Sequence, residues 1–340
     1  MLTRMLPLLG KTLAELQDVA LSVGLQKFAG KQLAEWLYVR RVTSFDEMTN
    51  ISLKGREALK ANYTIGRHAP VKEAVSIDGT RKYLFQIGEQ FVETVYIPEE
   101  DRTTLCVSTQ AGCKMGCKFC MTGTLGFHGN LSAADILNQI FYFDDLSNLV
   151  FMGEGEPMDN LDNVLRALEI MTAPYGPAWS PKRITVSTVG IPAMKRFLDE
   201  SECHVAVSMH NPFAVERVQI MPAEKLFSIT EVVNILKQYD FSHQRRVSFE
   251  YICWAGQNDT MRHAKELLRL LKGLNCRINL IRFHAGVEDI KNERRFPASD
   301  EKQMEFLRDY LTEHGLTTTI RRSRGEDILA ACGMLVNSLQ

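Results

Sequence analysis

Cys113, Cys117 and Cys120 stand in the order C-x3-C-x2-C, and Cys106 lies seven residues upstream of the first. Thiolates at this spacing can surround one face of a metal centre only if the backbone curls into a loop around it. Gly112, Lys114, Gly116 and Lys118 interleave the cysteines, which argues against a buried regular element and for ligation. Structural zinc would call for a second pair of Cys or His at finger spacing, and none follows. A four-iron four-sulfur cluster held by three thiolates leaves one iron open to a chelating substrate. Spacing alone favours the cluster and keeps zinc open.

Other residues could do chemistry farther along. In GEGEP, Gly153 to Pro157, the glycines would let backbone approach a ligand and Glu156 offers a carboxylate to an ammonium group; an ordinary βα turn fits as well. Ser187 and the triplet Ser208-Met209-His210 end predicted strands, the edge where barrel-type sheets place ligands, although such residues often only cap loops. Cys332, beside Ala330 and Ala331, reads by itself as packing. Cys203, Cys253 and Cys276 are assigned to the core or a sheet edge, and Glu93 in FVETVYIP reads as an exposed strand residue. Basic groups at Lys182-Arg183, Arg245-Arg246, Arg294-Arg295 and Arg321-Arg322-x-Arg324 could neutralise phosphates, and the last, close to Cys332, is the preferred RNA-contacting patch.

These groups need a scaffold, and hydrophobic periodicity supplies one. From Lys11 to Tyr63 apolar residues recur at helical spacing, as in Leu13, Leu16, Val19 and Phe28, Leu33, Leu37, predicting a helical module over 1–65. Alternating runs between Val71 and Pro98, with Asp78-Gly79 as turn chemistry, predict an antiparallel β extension over 66–98. Strands then alternate with helices: Thr104 to Ser108, Leu149 to Met152, Ile184 to Thr188, His204 to Met209, Val247 to Ile252, Ile278 to Phe283 and Thr317 to Ile320. That order predicts a parallel α/β core over 99–325, followed by a C-terminal segment over 326–340; pattern alone does not say whether the sheet closes. Capping boxes Ser132-x-x-Asp135 and Ser228-x-x-Glu231 fix two helix starts.

Composition sets limits. The 340-residue chain is 45% hydrophobic and 24% charged with a formal charge of -1, so RNA would be held by local basic patches and not by a global field. The apolar run Met5 to Leu9 is short and soon meets Lys11 and Glu15, unlike an export signal. No stretch approaches the roughly 20 apolar residues of a membrane span. The expected place is the cytoplasm, where eight cysteines are poor evidence for disulfides.

C-x3-C-x2-C at the end of the first strand of a βα series resembles the radical S-adenosylmethionine (SAM) signature. LCVSTQAGCKMGCKFCMTGTLGF, GEGEP, ITVSTVG at Ile184 to Gly190, SMH and RGEDILAACG at Arg324 to Gly333 are similar to the RlmN family of rRNA adenine methyltransferases, whose close relative is the Cfr resistance methyltransferase. The resemblance spans nearly the whole chain. It implies a partial (β/α) TIM-type barrel in which Cys113, Cys117 and Cys120 hold a 4Fe-4S cluster. Gly155, Glu156, Ser187, Ser208, Met209, His210 and His284 would contact SAM; His284 stands where many members have Asn. Cys332 would carry a methyl taken from one SAM. A radical generated from a second SAM would convert that methyl to a methylene that adds to carbon 2 of the base. Glu93 would accept the ring proton, and Cys106 would resolve the adduct through a transient disulfide.

The implied substrates are 23S rRNA and the adenine 3′ of the tRNA anticodon. The implied helper is an electron donor such as flavodoxin or ferredoxin, and the expected enzyme is a monomer. Three other readings stay in play: Cfr-like methylation at carbon 8, a zinc-stabilised RNA-binding protein without catalysis, and a radical SAM enzyme that acts on protein.

Overall fold

The computed structural model describes residues 5–242, 246–284 and 296–335. Ten strands form one sheet: β1 (Lys72–Val75), β2 (Arg81–Ile87), β3 (Gln90–Pro98), β4 (Thr103–Cys106), β5 (Asn148–Phe151), β6 (Ile184–Thr188), β7 (His204–Ser208), β8 (Val247–Cys253), β9 (Cys276–Arg282) and β10 (Thr317–Arg321). Each strand lies beside its neighbour in sequence. The first four run antiparallel to one another, and β4 to β10 are joined by parallel ladders. β10 and β1 are the two edges, so the sheet curls into a partial barrel without closing.

Side chains alternate between the two faces of the parallel strands. Leu149, Phe151, Ile184, Val186, Val207, Phe249, Ile278 and Leu280 enter the apolar core beneath the helices, each burial worth about 1.5–3 kcal/mol against an exposed side chain. Residues between them, such as Thr104, Thr185, Ser248 and Asn279, line a cavity on the concave side. Helices bridge the strands at Ala133–Phe141, Leu161–Thr172, Ile229–Leu236 and Met261–Leu271. Both expected capping boxes are formed, with Ser132 and Ser228 accepting from the third helical N–H.

The helical module over Leu13–Asn62 packs on this body. Arg41 donates to the Phe143 carbonyl at 2.7 Å, and the Tyr38 ring lies 6.1 Å from that of Phe141. Two findings correct the sequence reading there. Phe28 is 64% exposed because it caps a six-residue helix instead of lying within one, and Leu6–Pro7 forms a short parallel ladder with Tyr63–Thr64 where no strand was expected.

The antiparallel extension is continuous with the barrel. Asp78-Gly79 does form the β1–β2 turn, where Asp78 Oδ1 accepts from Thr80 N–H at 2.9 Å. A second hairpin turn at Gly88-Glu89 then joins β2 to β3. Register pairs Lys82 with Val95, Leu84 with Glu93, and Val95 with Cys106. Paired side chains share a face, so Lys82, Glu93 and Cys106 project from one face of the sheet.

Candidate active site

The cysteine loop begins after β4 and is tied down by backbone bonds. Cys113 N–H donates to Gly126 O at 2.8 Å, Lys118 N–H to Ile220 O at 2.9 Å, and Met121 N–H to Gly333 O at 2.7 Å. Burial pushes all three thiols upward, Cys113 to about 12, so thiolates there require a cationic centre to offset desolvation. Three thiolates on one zinc would lie about 2.3 Å from a common point, whereas each thiolate of a four-iron cluster bonds its own iron. The donor set fits the cluster.

At the C-terminal edge of the strands, the GEGEP glycines serve close approach to the protein itself. A Cβ on Gly155, whose φ is +96°, would stand 2.5 Å from Gln110 Cβ. A side chain is therefore excluded at this turn, which keeps its backbone bare. Glu156 is buried, accepts from Met158 N–H at 3.1 Å and Val189 N–H at 2.9 Å, and is pushed up to about 7 by desolvation. Its remaining lone pairs leave capacity for an ammonium group. Ser187 Oγ donates to Phe151 O at 2.8 Å, and Ser208 and Ser187 are both half-buried.

Met209 and His210 lie deeper. His210 Nδ1 accepts from Ile252 N–H at 3.0 Å, so its proton sits on Nε2, and burial, with Arg217 adding to it, holds the ring neutral by pushing it down to about 3. The ring packs edge-on against Phe119 of the cysteine loop at 4.7 Å. Arg217, which no sequence pattern singles out, is fully buried beneath this edge. Its guanidinium donates to Val189 O (2.7 Å), Ser208 O (2.8 Å) and Met209 O (2.9 Å), and pairs with Glu224. The ends of β6 and β7 are thereby fixed together.

The concave side encloses a cavity of about 520 Å³, and both Cys106 and Cys332 line it. Cys332 is exposed, unlike a thiol packed in a core. Burial, reinforced by the nearby Cys332, pushes Cys106 up to about 12. Arg321 lies between the two thiols' fields. The charge of Cys332 raises it above its usual range, and its Nη1 meets Met152 Sδ at 3.5 Å and Glu250 Oε2 at 3.7 Å. With Arg322 and Arg324 of the same basic cluster it lines the cavity that holds Cys332. His284 also lines the cavity, with Nε2 2.6 Å from Ser323 Oγ and Nδ1 3.3 Å from Glu326. Cys203 and Cys253 are in the core and Cys276 is half-buried at the start of β9.

Glu93 is wholly buried, not exposed, and its Oε1 lies 3.0 Å from the equally buried Lys82 Nζ. Removing one partner of such a pair typically costs about 3–5 kcal/mol, because the other charge is left without compensation. Glu93 N–H donates to Glu154 Oε1 at 2.8 Å, and Glu154 is pushed up to about 8 by burial.

This arrangement has relatives over its full length. Residues 6–65 match the Ribosomal RNA large subunit methyltransferase N-terminal domain, and residues 107–271 match the Radical SAM superfamily. A solved radical SAM methyltransferase from Sphaerobacter thermophilus superposes with a TM-score of 0.90 at 34% identity, covering 97% of this chain and 99% of that one. "Probable dual-specificity RNA methyltransferase RlmN" of Bacteroides thetaiotaomicron is 58% identical over 98% of this chain and 97% of its own length. The chain belongs to the RlmN family. "Dual-specificity RNA methyltransferase RlmN" of Geobacter sulfurreducens is 39% identical over 98% of this chain and 93% of its own length. As an RlmN family member the chain is a radical SAM methyltransferase acting on RNA, with SAM and a four-iron cluster as its cofactors.

Two RlmN site features had no readable signal. Arg217 looks like any helix arginine, and Lys82 like any exposed strand lysine. Only the register of β2 on β3 reveals the latter as a partner of Glu93. Of the basic clusters, Lys182, Arg246, Arg321, Arg322 and Arg324 line the cavity, joined by Arg102 and Arg277; Arg245, Arg294 and Arg295 lie outside the described residues. No helix among the described residues is long and apolar enough to cross a membrane.

Proposed function

We propose that this enzyme methylates carbon 2 of an adenine in 23S rRNA and of the adenine 3′ of the anticodon in tRNA, using two SAM molecules per turnover. The observation that carries this reading is the pair of thiols, Cys106 and Cys332, brought to one cavity from ends of the barrel 226 residues apart in sequence. One thiol would suffice for a simple carrier; two permit attachment followed by release. Cys113, Cys117 and Cys120 would hold the four-iron cluster, which when bound would supply the electron for cleaving SAM, and Gly155, Glu156, Ser187, Ser208, Met209, His210 and His284 would form the SAM-binding edge.

The chain's own groups divide the remaining work. Cys332, on an exposed loop, is accessible as the nucleophile that takes a methyl group. Carbon 2 of adenine has no usable lone pair, so the base must be joined to the carrier covalently, and Glu93 then accepts the ring proton. Lys82 holds the Glu93 carboxylate in place for that task. Cys106 attacks the Cys332 sulfur, forming a disulfide as the methylated base departs. The target base leaves its stack to enter the cavity. Electrons come from a donor such as flavodoxin or ferredoxin, and the enzyme works as a cytoplasmic monomer.

Mass spectrometry of nucleosides from 23S rRNA and tRNA, after anaerobic incubation with reconstituted enzyme, SAM and a reductant, tests the reading. The expected product is 2-methyladenosine; 8-methyladenosine would move it to carbon 8, and unmodified RNA would overturn it.

Arg102, Lys182, Arg246 and Arg277 stand at the N-terminal ends of β4, β6, β8 and β9 and line the cavity there. They form a path suited to phosphates. Replacing Lys182, Arg246 and Arg277 together by Ala is expected to flatten the plot of log affinity against log salt for single-stranded RNA by about 0.7 for each phosphate that is no longer neutralised. The site of methylation should not change. An unaltered slope in a salt titration would remove these residues from the RNA path.

A further inference from the structure

The loop that bears Cys332 is held by the β1–β2 hairpin through a series of bonds. Asp78 Oδ2 accepts from Gly325 N–H at 3.0 Å and lies 3.9 Å from Arg324. Asp327 accepts from Ser76 Oγ at 2.5 Å and from Ile77 N–H at 3.1 Å. Below these, Lys82 Nζ reaches the Leu329 carbonyl at 3.3 Å while keeping Glu93 at 3.0 Å. Backbone geometry makes the seat specific. Gly325 has φ +64°, and a Cβ there would stand 2.8 Å from Ala330 Cβ and 2.9 Å from Thr80 Cγ2; Leu329 is itself left-handed at φ +53°, a conformation that persists only where the surroundings enforce it.

Ordinary stability does not account for this pattern. The hairpin already has its own ladder and turn bonds, and a lysine wholly removed from water is costly to bury, yet this one spans Glu93 and the Leu329 carbonyl. What it achieves is register between two groups: the base Glu93 and a loop three residues from the carrier thiol. We propose that the β1–β2 hairpin is a clasp that seats the Cys332 loop, and that Lys82 is a positioning residue whose ammonium sets that loop against the Glu93 carboxylate. The inference rests on the roles given above to Cys332 and Glu93. Its consequence concerns timing. Glu93 meets the ring proton only after the base has been joined to Cys332, so a misregistered loop should harm release of the base more than its attachment.

The test uses full-length, cluster-loaded enzyme with single-turnover RNA. Lys82→Met is expected to take up a methyl on Cys332, seen by mass spectrometry of the intact protein, and to form the covalent protein–RNA species. Release of 2-methyladenosine should slow at least tenfold, so that the species persists on a denaturing gel. Because Lys82→Met leaves a buried carboxylate without its partner and folding could suffer, Asp327→Ala provides a second route. It cuts two clasp bonds from an exposed side chain and should raise hydrogen exchange across 325–333 several-fold, with the barrel strands unchanged. Release in Lys82→Met within twofold of the unmodified enzyme, or unchanged exchange at 325–333 in Asp327→Ala, would overturn the clasp. If the unmodified enzyme yields no 2-methyladenosine at all, the functional reading fails instead, and the exchange measurement still decides whether the hairpin seats the loop.

Discussion

Cys332→Ala is expected to abolish RNA methylation, a loss at least on the order of 10⁴-fold, the scale seen when a nucleophile is removed from a catalytic unit, while the fold persists. The two halves of that expectation have separate causes. The side chain is exposed on a loop and outside the apolar core, and surface substitutions away from special features usually change stability by no more than about 0.5 kcal/mol. The chemistry, however, has no substitute for this sulfur. Cys106 lines the same cavity but is a half-buried thiol pushed up to about 12 by desolvation, with almost no thiolate at neutral pH. Neither methylated protein nor a covalent RNA species should form. Cys253→Ala is the matched control: its side chain is wholly buried in the core, so it should lower the melting temperature and leave methylation intact. Detectable 2-methyladenosine from Cys332→Ala would show that the methyl reaches the base without a protein carrier.

How much of this was readable in advance follows from which interactions are local. The cysteine loop, β6 and the capped helix starts are local features, so spacing, β-branched alternation and the pair Ser132 and Asp135 announce them. Glu93 is a contrary case. In FVETVYIP every other residue should face solvent, yet Val92 to Val95 are all buried. One face of β3 packs on the helix Ala133–Phe141, where Thr94 Oγ1 donates to Gln139 Oε1 at 2.7 Å. The other bears Glu93 and its buried partner Lys82. Neither cover is encoded within the strand, and the partner follows only once the Gly88-Glu89 turn fixes register. The direction of Arg321 is likewise not local: as the last residue of β10, an edge strand, it could have pointed to solvent or into the barrel, and only the tertiary arrangement of the sheet decides.

Cys106→Ala should fail at the opposite end of the reaction from Cys332→Ala. Attachment needs Cys332 alone, so this variant is expected to take up the methyl, join it to RNA and stop there. A protein–RNA species attached through Cys332 should accumulate to near one equivalent, with multiple-turnover product lost. A denaturing gel and sequencing of the cross-linked peptide would read this directly; rapid release of product would make Cys106 dispensable. In the unmodified enzyme the same step should carry a pH signature. Desolvation is the main reason the Cys106 thiol lies at about 12, with Cys332 adding to it and Arg321 opposing it. Below that value each unit of pH gives about tenfold more thiolate, which is the attacking form. In the covalent species Cys332 carries no charge, so its contribution disappears while Arg321 remains. Release of the base should therefore quicken between pH 7 and pH 9 while attachment does not, and a flat release rate over that interval would mean that the resolving sulfur receives its charge from a partner that removes its proton in the same step.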